Sequence, residues 1–285
     1  MRCLKQAHKA LTPRERPLGN YLMCPPTSFT VDYSINVWMR PEIPVDTALA
    51  IRQWERLRAI YQDLGHVVEL LDPLPGLPDM VFTANAAIVL GGKALVARFR
   101  NAERSGEEPA FLKWFEQRGF ETRQAESVNE GEGDFLVMDQ WILSGSGFRS
   151  DLAAGHEAAE AFDRPLIGLT LVDPRFYHLD TAVAVLDGHQ IAYYPQAFSP
   201  ESRDTLRELF PDAVVADEDD AAAFGLNAMS DGRTVVMAEA AARLGAKIRE
   251  RGFDVIGTDV KEFLKGGGGV KCLTLELRDV PPNPT

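Results

Sequence analysis

Short apolar runs rich in Val, Ile, Leu and aromatic residues recur along the whole chain, each bounded by Gly, Pro or Asp. This pattern is typical of short strands separated by turns. The predicted strands are 21–24, 67–71, 86–96, 135–144, 166–172, 181–186, 190–194, 234–237, 254–257 and 272–277.

Segments with hydrophobic residues at helical spacing lie between these strands. The clearest is 46–64, in which one stripe is formed by Trp54, Leu57, Tyr61 and Leu64. Asp46 is suited to cap the start of this helix, and Gly65 is suited to end it. The same spacing predicts helices over 110–118, 152–162, 200–209 and 238–251.

A pattern in which a helix end, a glycine and a strand follow one another occurs three times, at Gly65, Gly119 and Gly252. Together with the strand pairs between them, the three occurrences predict a repeated β-β-α-β unit of roughly 50 residues. No low-complexity segment divides the chain, so we expect a single domain over 1–285 with a loose tail over 280–285.

Composition narrows the class of function. Of the 285 residues, 45% are hydrophobic and 25% are charged, which is ordinary for a globular protein. The net charge of −12, without a basic stripe, argues against nucleic-acid binding and weakly favours small cationic ligands. No apolar run reaches membrane-spanning length, and no secretory signal is visible. We therefore expect a cytoplasmic protein with a small-molecule partner and no nucleic-acid or membrane partner; homo-oligomerisation stays open.

The three cysteines are Cys3, Cys24 and Cys272. Their odd number and wide spacing argue against a disulfide framework, and no Cys or His pair has the spacing of a structural zinc site. We expect neither a metal nor an organic cofactor.

Cys272 stands out among them because four glycines and two lysines lie in the seven residues before it, and a predicted strand follows. Such a setting can place a thiolate at the mouth of a site, although strand packing explains a lone cysteine equally well. As a nucleophile, Cys272 needs a histidine and a carboxylate from elsewhere in the chain.

His178 is the histidine whose setting differs from that of a surface or turn residue. If a strand starts here, its two-residue period places His178 and Asp180 on one face. A purely structural His-x-Asp pair at the end of a strand would have the same sequence.

Acidic residues alternate with glycines before the strand predicted at 135–144. An extended backbone would place Glu130, Glu132 and Asp134 on one face, and the glycines would let a ligand approach closely. An ordinary acidic turn is the alternative.

Four further polar residues are candidates for ligand contacts. Asp79 and Asn85 flank a short apolar stretch that reads as a strand, and a buried Asn requires partners, from an Asx turn or from a ligand. Arg104 and Arg149 lie near glycines, where either could bind a carboxylate or simply be solvated.

Four segments of the chain resemble the guanidino-group-modifying superfamily, the penteins. They are 79–85, 130–134, 178–181 and the glycine-rich run that precedes Cys272. This superfamily includes arginine deiminase, dimethylarginine dimethylaminohydrolase (dimethylargininase) and the amidinotransferases. The four segments occur in the family order over most of the chain. The resemblance implies an α/β fold, a five-bladed propeller of β-β-α-β units with the site at its central axis.

The resemblance also assigns roles. It implies that Cys272 is the nucleophile, His178 the general acid/base and Glu130 the catalytic carboxylate. Glu132 stays open as an alternative, because relatives often carry the acid three positions before the Asp, where this chain has Gly131. Asp180 resembles the family's guanidinium-binding Asp.

Substrate contacts implied by the same resemblance come from Asn36, Asp79, Asn85, Arg104 and Arg149. Deiminases and dimethylargininases usually have an Asp at the position of Asn85, where it pairs with the guanidinium cation. Asn keeps the acceptor oxygen and loses the charge. Phe-Thr-Ala-Asn at 82–85 is similar to arginine dihydrolases, which convert arginine to ornithine.

Guanidinium is a poor electrophile, so its hydrolysis needs a strong nucleophile and negative charge around the cation. Attack by Cys272 would give a covalent thiouronium; His178 would protonate the leaving amine and then activate water. A second hydrolysis of a retained ureido product would release ornithine. The alternatives are a dimethylargininase that releases dimethylamine and citrulline, an amidinotransferase, and a non-catalytic arginine-binding protein.

Overall fold

The computed structural model describes residues 17–281, so Cys3 and the tail residues 282–285 lie outside the described residues. Within 17–281 the chain forms fifteen short strands. They are β1 Asn20–Met23, β2 Val67–Leu70, β3 Ala87–Leu90, β4 Lys93–Val96, β5 Glu121–Gln124, β6 Phe135–Val137, β7 Ile142–Ser146, β8 Leu166–Thr170, β9 Val183–Val185, β10 Ile191–Tyr193, β11 Val214–Val215, β12 Met229–Ser230, β13 Thr234–Ala238, β14 Asp254–Thr258 and β15 Leu275–Glu276.

The same part of the chain contains eight α-helices: α1 Thr47–Asp63, α2 Ala102–Ser105, α3 Glu108–Arg118, α4 Leu152–Phe162, α5 Pro200–Leu209, α6 Glu218–Ala222, α7 Ala242–Glu250 and α8 Lys261–Leu264. Asp46 caps α1, since its side chain accepts a hydrogen bond from the Leu49 amide at 2.9 Å. Gly65, Gly119 and Gly252 have φ of +90°, +88° and +86°, the left-handed conformation expected of a glycine that ends a helix.

The described strands form five three-stranded sheets, in the orders β15-β1-β2, β3-β4-β5, β6-β7-β8, β9-β10-β11 and β12-β13-β14. In each sheet the middle strand pairs antiparallel with one neighbour and parallel with the other, which is reached through a helix. The five-bladed α/β propeller is therefore confirmed. β15 pairs antiparallel with β1, Leu275 opposite Leu22, so the last strand completes the first blade and closes the ring.

Hydrophobic cores lie between adjacent blades. One cluster joins Ile88 and Leu95 of the second blade to Phe135 and Ile142 of the third. Another joins Leu22 and Leu275 of the first blade to residues of the second. Because neighbouring blades share their buried surface, each blade is stabilised by the next. The single domain over 1–285 stays a prediction.

Some predicted boundaries were wrong. The segments 86–96 and 135–144 are hairpins of two strands each. The helix predicted from 238 begins at Ala242, because β13 continues to Ala238, where it still pairs with Thr258. No helix within residues 17–281 is long and apolar enough to cross a membrane.

The largest correction concerns the segments that lead into the first strand of a blade, which we call the axis turns. Those around 79–85, 130–134, 178–180 and 272 were expected to be extended, but they are turns. The ones that carry predicted site residues are the 3₁₀ turns Pro78–Val81, Thr83–Ala86, Gly131–Gly133 and Leu179–Thr181 and the turn at 270–273. The strand expected from Cys272 is shortened to β15 for the same reason.

Gly131 illustrates why a turn forms where the alternation suggested a strand. Its φ is +51°, and a Cβ at this position would lie 2.6 Å from the Ala87 amide nitrogen. The backbone therefore packs directly against the neighbouring blade, which only glycine permits. Glu130 and Glu132 consequently point to different sides of the turn, not to one face.

Candidate active site

Side chains from the axis turns of the described chain meet at the centre of the ring and are almost completely buried. They are Asn85, Glu130, His178, Asp180, Asn227 and Cys272. Each comes from the segment that leads into the first strand of a blade, so the ring itself assembles the site.

Cys272 lies between two polar side chains. Its Sγ donates a hydrogen bond to Asp180 Oδ2 at 3.2 Å and accepts one from Asn227 Nδ2 at 3.1 Å. Burial of the thiol, together with the Asp180 carboxylate, raises the pKa of Cys272 well above its usual value. The protein environment of Cys272 therefore favours the neutral thiol over the thiolate.

His178 is paired with Glu130. His178 Nε2 lies 2.8 Å from Glu130 Oε2, and both Glu130 oxygens accept from Arg149 Nη1, at 2.7 and 2.8 Å. Burial opposes ionisation of Glu130, but Arg149 and His178 outweigh it and hold the pKa of Glu130 far below its usual value. Glu130 is thus held as a carboxylate, and its contact with Nε2 orients the imidazole of His178.

Glu132 lies on the opposite side of the same turn. It accepts from Lys271 Nζ at 2.6 Å and forms an ion pair with Arg278. Of the two acidic residues left open by the sequence, Glu130 is the one that contacts His178, whereas Glu132 belongs to a buried ion cluster with Lys271, Glu276 and Arg278.

Two of the predicted site residues are buried carboxyl groups that keep one oxygen without a hydrogen-bond partner among the described residues: Asp180 Oδ1 and Asp79 Oδ1. Burial raises the pKa of Asp180 to about 7. Burial also raises the pKa of Asp79, although Arg104 and Tyr33 act against it; Tyr33 donates to Asp79 Oδ2 at 2.7 Å. Such acceptors match the N–H donors of a cationic ligand. His178 and Asp180 both reach the axis, but from a turn and not from one face of a strand.

Asn85 presents its amide to the site in one orientation. Its Oδ1 accepts from Arg104 Nη1 at 2.7 Å, and because a guanidinium can only donate, the oxygen must face Arg104. Asn85 Nδ2 has no hydrogen-bond partner among residues 17–281, and a Cβ at Gly133 would lie 2.5 Å from it and 3.2 Å from the His178 ring. Asn85 therefore offers the site a donor, whereas the sequence suggested an acceptor.

The two predicted arginines are buried and paired. Arg104 is held by Glu107 through bonds of 2.8 and 2.9 Å and by the Asp79 carbonyl, and it lies over the Phe99 ring. Arg149 donates to Glu130 and, through Nη2, to the Ile35 carbonyl at 2.9 Å. Neither is a solvated surface residue, and both lie beside Glu130.

Asn36 lies in a loop that covers the axis turn of Cys272. Its Nδ2 donates to the Gly266 carbonyl at 3.1 Å, and the neighbouring Trp38 donates to the Arg175 carbonyl at 2.8 Å. Gly267 has φ +84°, and a Cβ there would lie 2.8 Å from Asn36 Nδ2. In this structure Asn36 contacts the glycine run and not the residues at the axis.

Asn227 was missed by the sequence interpretation. A single Asn in an apolar segment carries no chemical pattern of its own. The available signal is positional: Asn227-Ala228 precedes β12 by two residues, as Asn85-Ala86 precedes β3. Among the described residues, no group of three or more His, Cys, Asp and Glu side chains could hold a metal ion.

Comparison with known proteins agrees with this arrangement. A sequence model of the family described as N,N dimethylarginine dimethylhydrolase, eukaryotic, matches residues 26–279. The N(G),N(G)-dimethylarginine dimethylaminohydrolase of Mycobacterium tuberculosis is 50% identical over 266 residues, which is 93% of this chain and 87% of that protein.

A second relative is the bifunctional arginine dihydrolase/ornithine cyclodeaminase ArgZ of Synechocystis, 40% identical over 265 residues. The match covers 90% of this chain but 37% of ArgZ, so this chain corresponds to part of that protein. A crystal structure of the ArgZ N-terminal domain, a variant covalently bound to a reaction intermediate, superposes with a TM-score of 0.87 at 38% identity, over 92% of this chain and all of that domain.

Proposed function

The chain belongs to the dimethylarginine dimethylaminohydrolase family and hydrolyses a guanidino group through a covalent cysteine intermediate, and on that premise we propose that its substrate is free arginine and its final product ornithine. The observation that carries the choice is the orientation of Asn85. A dimethylargininase that forms citrulline is the second candidate, favoured by the 50% identity to the mycobacterial enzyme.

Asn85 distinguishes the two candidates because guanidinium and ureido groups differ in hydrogen-bonding polarity. Every nitrogen of a guanidinium donates, whereas a ureido group carries a carbonyl oxygen that accepts. The Nδ2 of Asn85 complements that oxygen, and a carboxylate in its place would repel it. The site thus favours retention of the ureido group for a second hydrolysis, as supported by the similarity to the arginine dihydrolase ArgZ.

In the first half-reaction the guanidinium cation lies against Asp180 and Cys272. The cation stabilises the thiolate, which attacks the guanidino carbon and forms a C–S bond. The protonated His178, held by Glu130 at 2.8 Å, transfers a proton to the departing nitrogen, and ammonia leaves. The product of this step is a thiouronium on Cys272.

Water then completes the hydrolysis. Neutral His178 takes a proton from water, which adds to the thiouronium carbon, and the C–S bond breaks with its electron pair returning to sulfur. Citrulline is formed. The same two steps then take place on the ureido carbon. Attack by Cys272 releases a second ammonia and gives a thiocarbamate on Cys272. A second water converts the thiocarbamate to a carbamate. The carbamate loses carbon dioxide and yields ornithine.

The amino-acid end of the substrate has matching groups further along the site. Asp79 Oδ1 is an acceptor for the α-ammonium group. Arg149 and Arg104 supply positive charge for the α-carboxylate, and binding it requires that they exchange part of their contacts with Glu130, Ile35 and Glu107.

Product analysis tests the proposal. The protein is incubated separately with arginine, monomethylarginine and asymmetric dimethylarginine, and the products are identified by mass spectrometry, with Cys272→Ala as control. We expect ornithine with two equivalents of ammonia from arginine. Citrulline as the only product, with dimethylamine released faster from dimethylarginine, would establish the second candidate instead.

A further inference from the structure

Asn227 touches the sulfur that the proposed mechanism makes the nucleophile. It is fully buried in the turn between α6 and β12. Its Nδ2 lies 3.1 Å from Cys272 Sγ and 3.2 Å from the Asp180 carbonyl oxygen. It therefore links the axis turns of the fourth and fifth blades to the turn that carries Cys272.

The orientation of the Asn227 amide is fixed by its other contacts. Its Oδ1 accepts two backbone hydrogen bonds, from Gly269 N at 3.0 Å and from Cys272 N at 3.0 Å. Both partners can only donate, so the oxygen must face them and the NH₂ group must face the sulfur. The close approach of the Gly269 backbone depends on glycine, because a Cβ there would lie 3.0 Å from Asn227 Oδ1.

The sulfur needs such a donor. Cys272 is buried, and Asp180 places a carboxylate 3.2 Å from Sγ; the buried Tyr177 is a second titratable group, whose charge would interact with that of Cys272. Burial and Asp180 raise the pKa of the thiol, whereas the Gly269 amide and Asn227 lower it. Among the described residues, Asn227 supplies the side-chain N–H that points at the sulfur.

We propose that Asn227 is a catalytic residue whose Nδ2–H donates to Cys272 Sγ and stabilises its negative charge. The inference rests on the proposed role of Cys272 as the nucleophile. The hydrogen bond acts twice in each hydrolysis: before the C–S bond forms, and again when that bond breaks and its electron pair returns to sulfur. A donor already in place at a developing charge contributes without reorganisation.

Asn227→Asp replaces the donor that faces the sulfur by a carboxylate oxygen. Aspartate keeps an oxygen for the Gly269 and Cys272 amides and loses the NH₂ group that contacts the sulfur and the Asp180 carbonyl. We expect the pH at which Cys272 becomes reactive to iodoacetamide to rise by about one unit or more, and kcat to fall about 10²-fold. Cys272 alkylation is measured by peptide mass spectrometry as a function of pH, together with the melting temperature.

Two variants control the experiment. Asn129→Asp places a carboxylate on another buried Asn, which contacts Ser127 and Gly131 and not the sulfur, and it should leave the alkylation profile of Cys272 unchanged. Asn227→Ala removes the donor without adding charge, and it should shift the profile in the same direction as Asn227→Asp but less. Asn227→Ala also takes the place of Asn227→Asp in the test if Asn227→Asp does not fold.

A wild-type alkylation profile in folded Asn227→Asp or Asn227→Ala would overturn the inference. Failure of the proposed function is seen separately, as absence of arginine hydrolysis by the wild-type protein, and the alkylation result does not depend on that assay.

Discussion

Asp180 is a residue whose burial has a measurable consequence. The carboxyl group is fully buried, and burial raises its pKa to about 7. The hydrogen bond from Cys272 and the charge of Lys271 act in the opposite direction and offset part of this rise. Ionising it in the folded protein is therefore costly until a cation binds. The same property that prepares Asp180 for a guanidinium ligand makes it a source of pH-dependent stability.

Between pH 4 and pH 7 the folded protein holds a proton on Asp180 that the unfolded chain has released. Stability from this group is thus complete at low pH and declines as the pH rises through about 7. Asp180→Asn removes the effect, so the melting temperature of wild type minus that of the variant should fall from pH 4 to pH 7. Asp134 and Glu107, whose pKa values burial also raises, are present in both proteins and cancel.

The measurement is thermal unfolding of both proteins without ligand at closely spaced pH values. Parallel curves over this range would mean that Asp180 is already ionised in the folded protein, and the assignment of its raised pKa would be wrong.

Asn85→Asp tests the polarity argument. The new carboxylate would pair with Arg104 and repel the ureido oxygen, so citrulline should dissociate before its second hydrolysis. We expect the ornithine-to-citrulline ratio from arginine to fall at least about tenfold, the equivalent of one hydrogen bond left unmade at about 1.4 kcal/mol. The ratio is read by mass spectrometry of early time points, and an unchanged ratio would contradict the role of Asn85.

The sequence was informative about residues that form recognisable pairs. Cys272, His178, Glu130 and Asp180 stand in segments that resemble those of guanidino-modifying enzymes, and the structure pairs Cys272 with Asp180 and His178 with Glu130. Asn227 could not be found in this way, because its side-chain partners come from two distant segments, at Asp180 and at 269–272, and meet it only when the ring is closed.

At the scale of elements, the axis turns decide which side chains reach the centre. Alternating polar and apolar residues at 130–134 and 178–180 suggested strands, because the two-residue period is the same. The turns form because the backbone packs against the neighbouring blade, as at Gly131, and this contact is absent from any local sequence window.

Gly268→Ala tests how tightly the Cys272 turn is held. A Cβ at Gly268 would overlap the Phe82 ring and lie 3.1 Å from Cys272 Cβ. We expect a loss of about 1–3 kcal/mol of stability from overpacking and a lower kcat, because the sulfur is displaced from Asp180 and Asn227.

The matched control is Gly168→Ala in β8, where a Cβ would have no heavy atom within 4 Å and both quantities should stay near wild type. Phe82→Leu combined with Gly268→Ala should recover part of the stability, measured by urea unfolding. Equal effects of the two alanine substitutions would argue that backbone entropy, and not contact with Phe82, is responsible.

At the scale of the whole molecule, ring closure and the site depend on the same contacts. Lys271 precedes the nucleophile in the chain and is buried between Glu132 of the third blade and Glu276 of β15. This ion cluster connects the closing strand to the turn that follows Glu130.

Lys271→Met should therefore destabilise the protein, by up to about 3–5 kcal/mol, since it leaves the buried Glu132 carboxylate to share Arg278 with Glu276. Adding Glu132→Gln removes that carboxylate and should restore part of the loss, while Glu276 and Arg278 stay paired. Urea unfolding of the two variants measures the difference. A double variant no more stable than Lys271→Met would mean that the cluster acts through packing and not through charge.

The repeat could be predicted from the sequence because each glycine that ends a helix is recognisable from its neighbours in the chain. The number of five blades came from the resemblance to the penteins. The closure of the ring by β15 against β1 is a contact between the two ends of the described chain, and neither strand, of two and four residues, indicates its partner.

Chemical trapping of the covalent intermediate is the most direct test of the proposed hydrolysis of arginine by Cys272. A reaction of the protein with arginine is quenched in acid during turnover, digested, and analysed by peptide mass spectrometry. We expect the peptide that contains Cys272 to carry an adduct with the mass of arginine less ammonia, and we expect no such adduct in Cys272→Ala. Turnover by Cys272→Ala, or an adduct on any residue other than Cys272, would contradict the proposal.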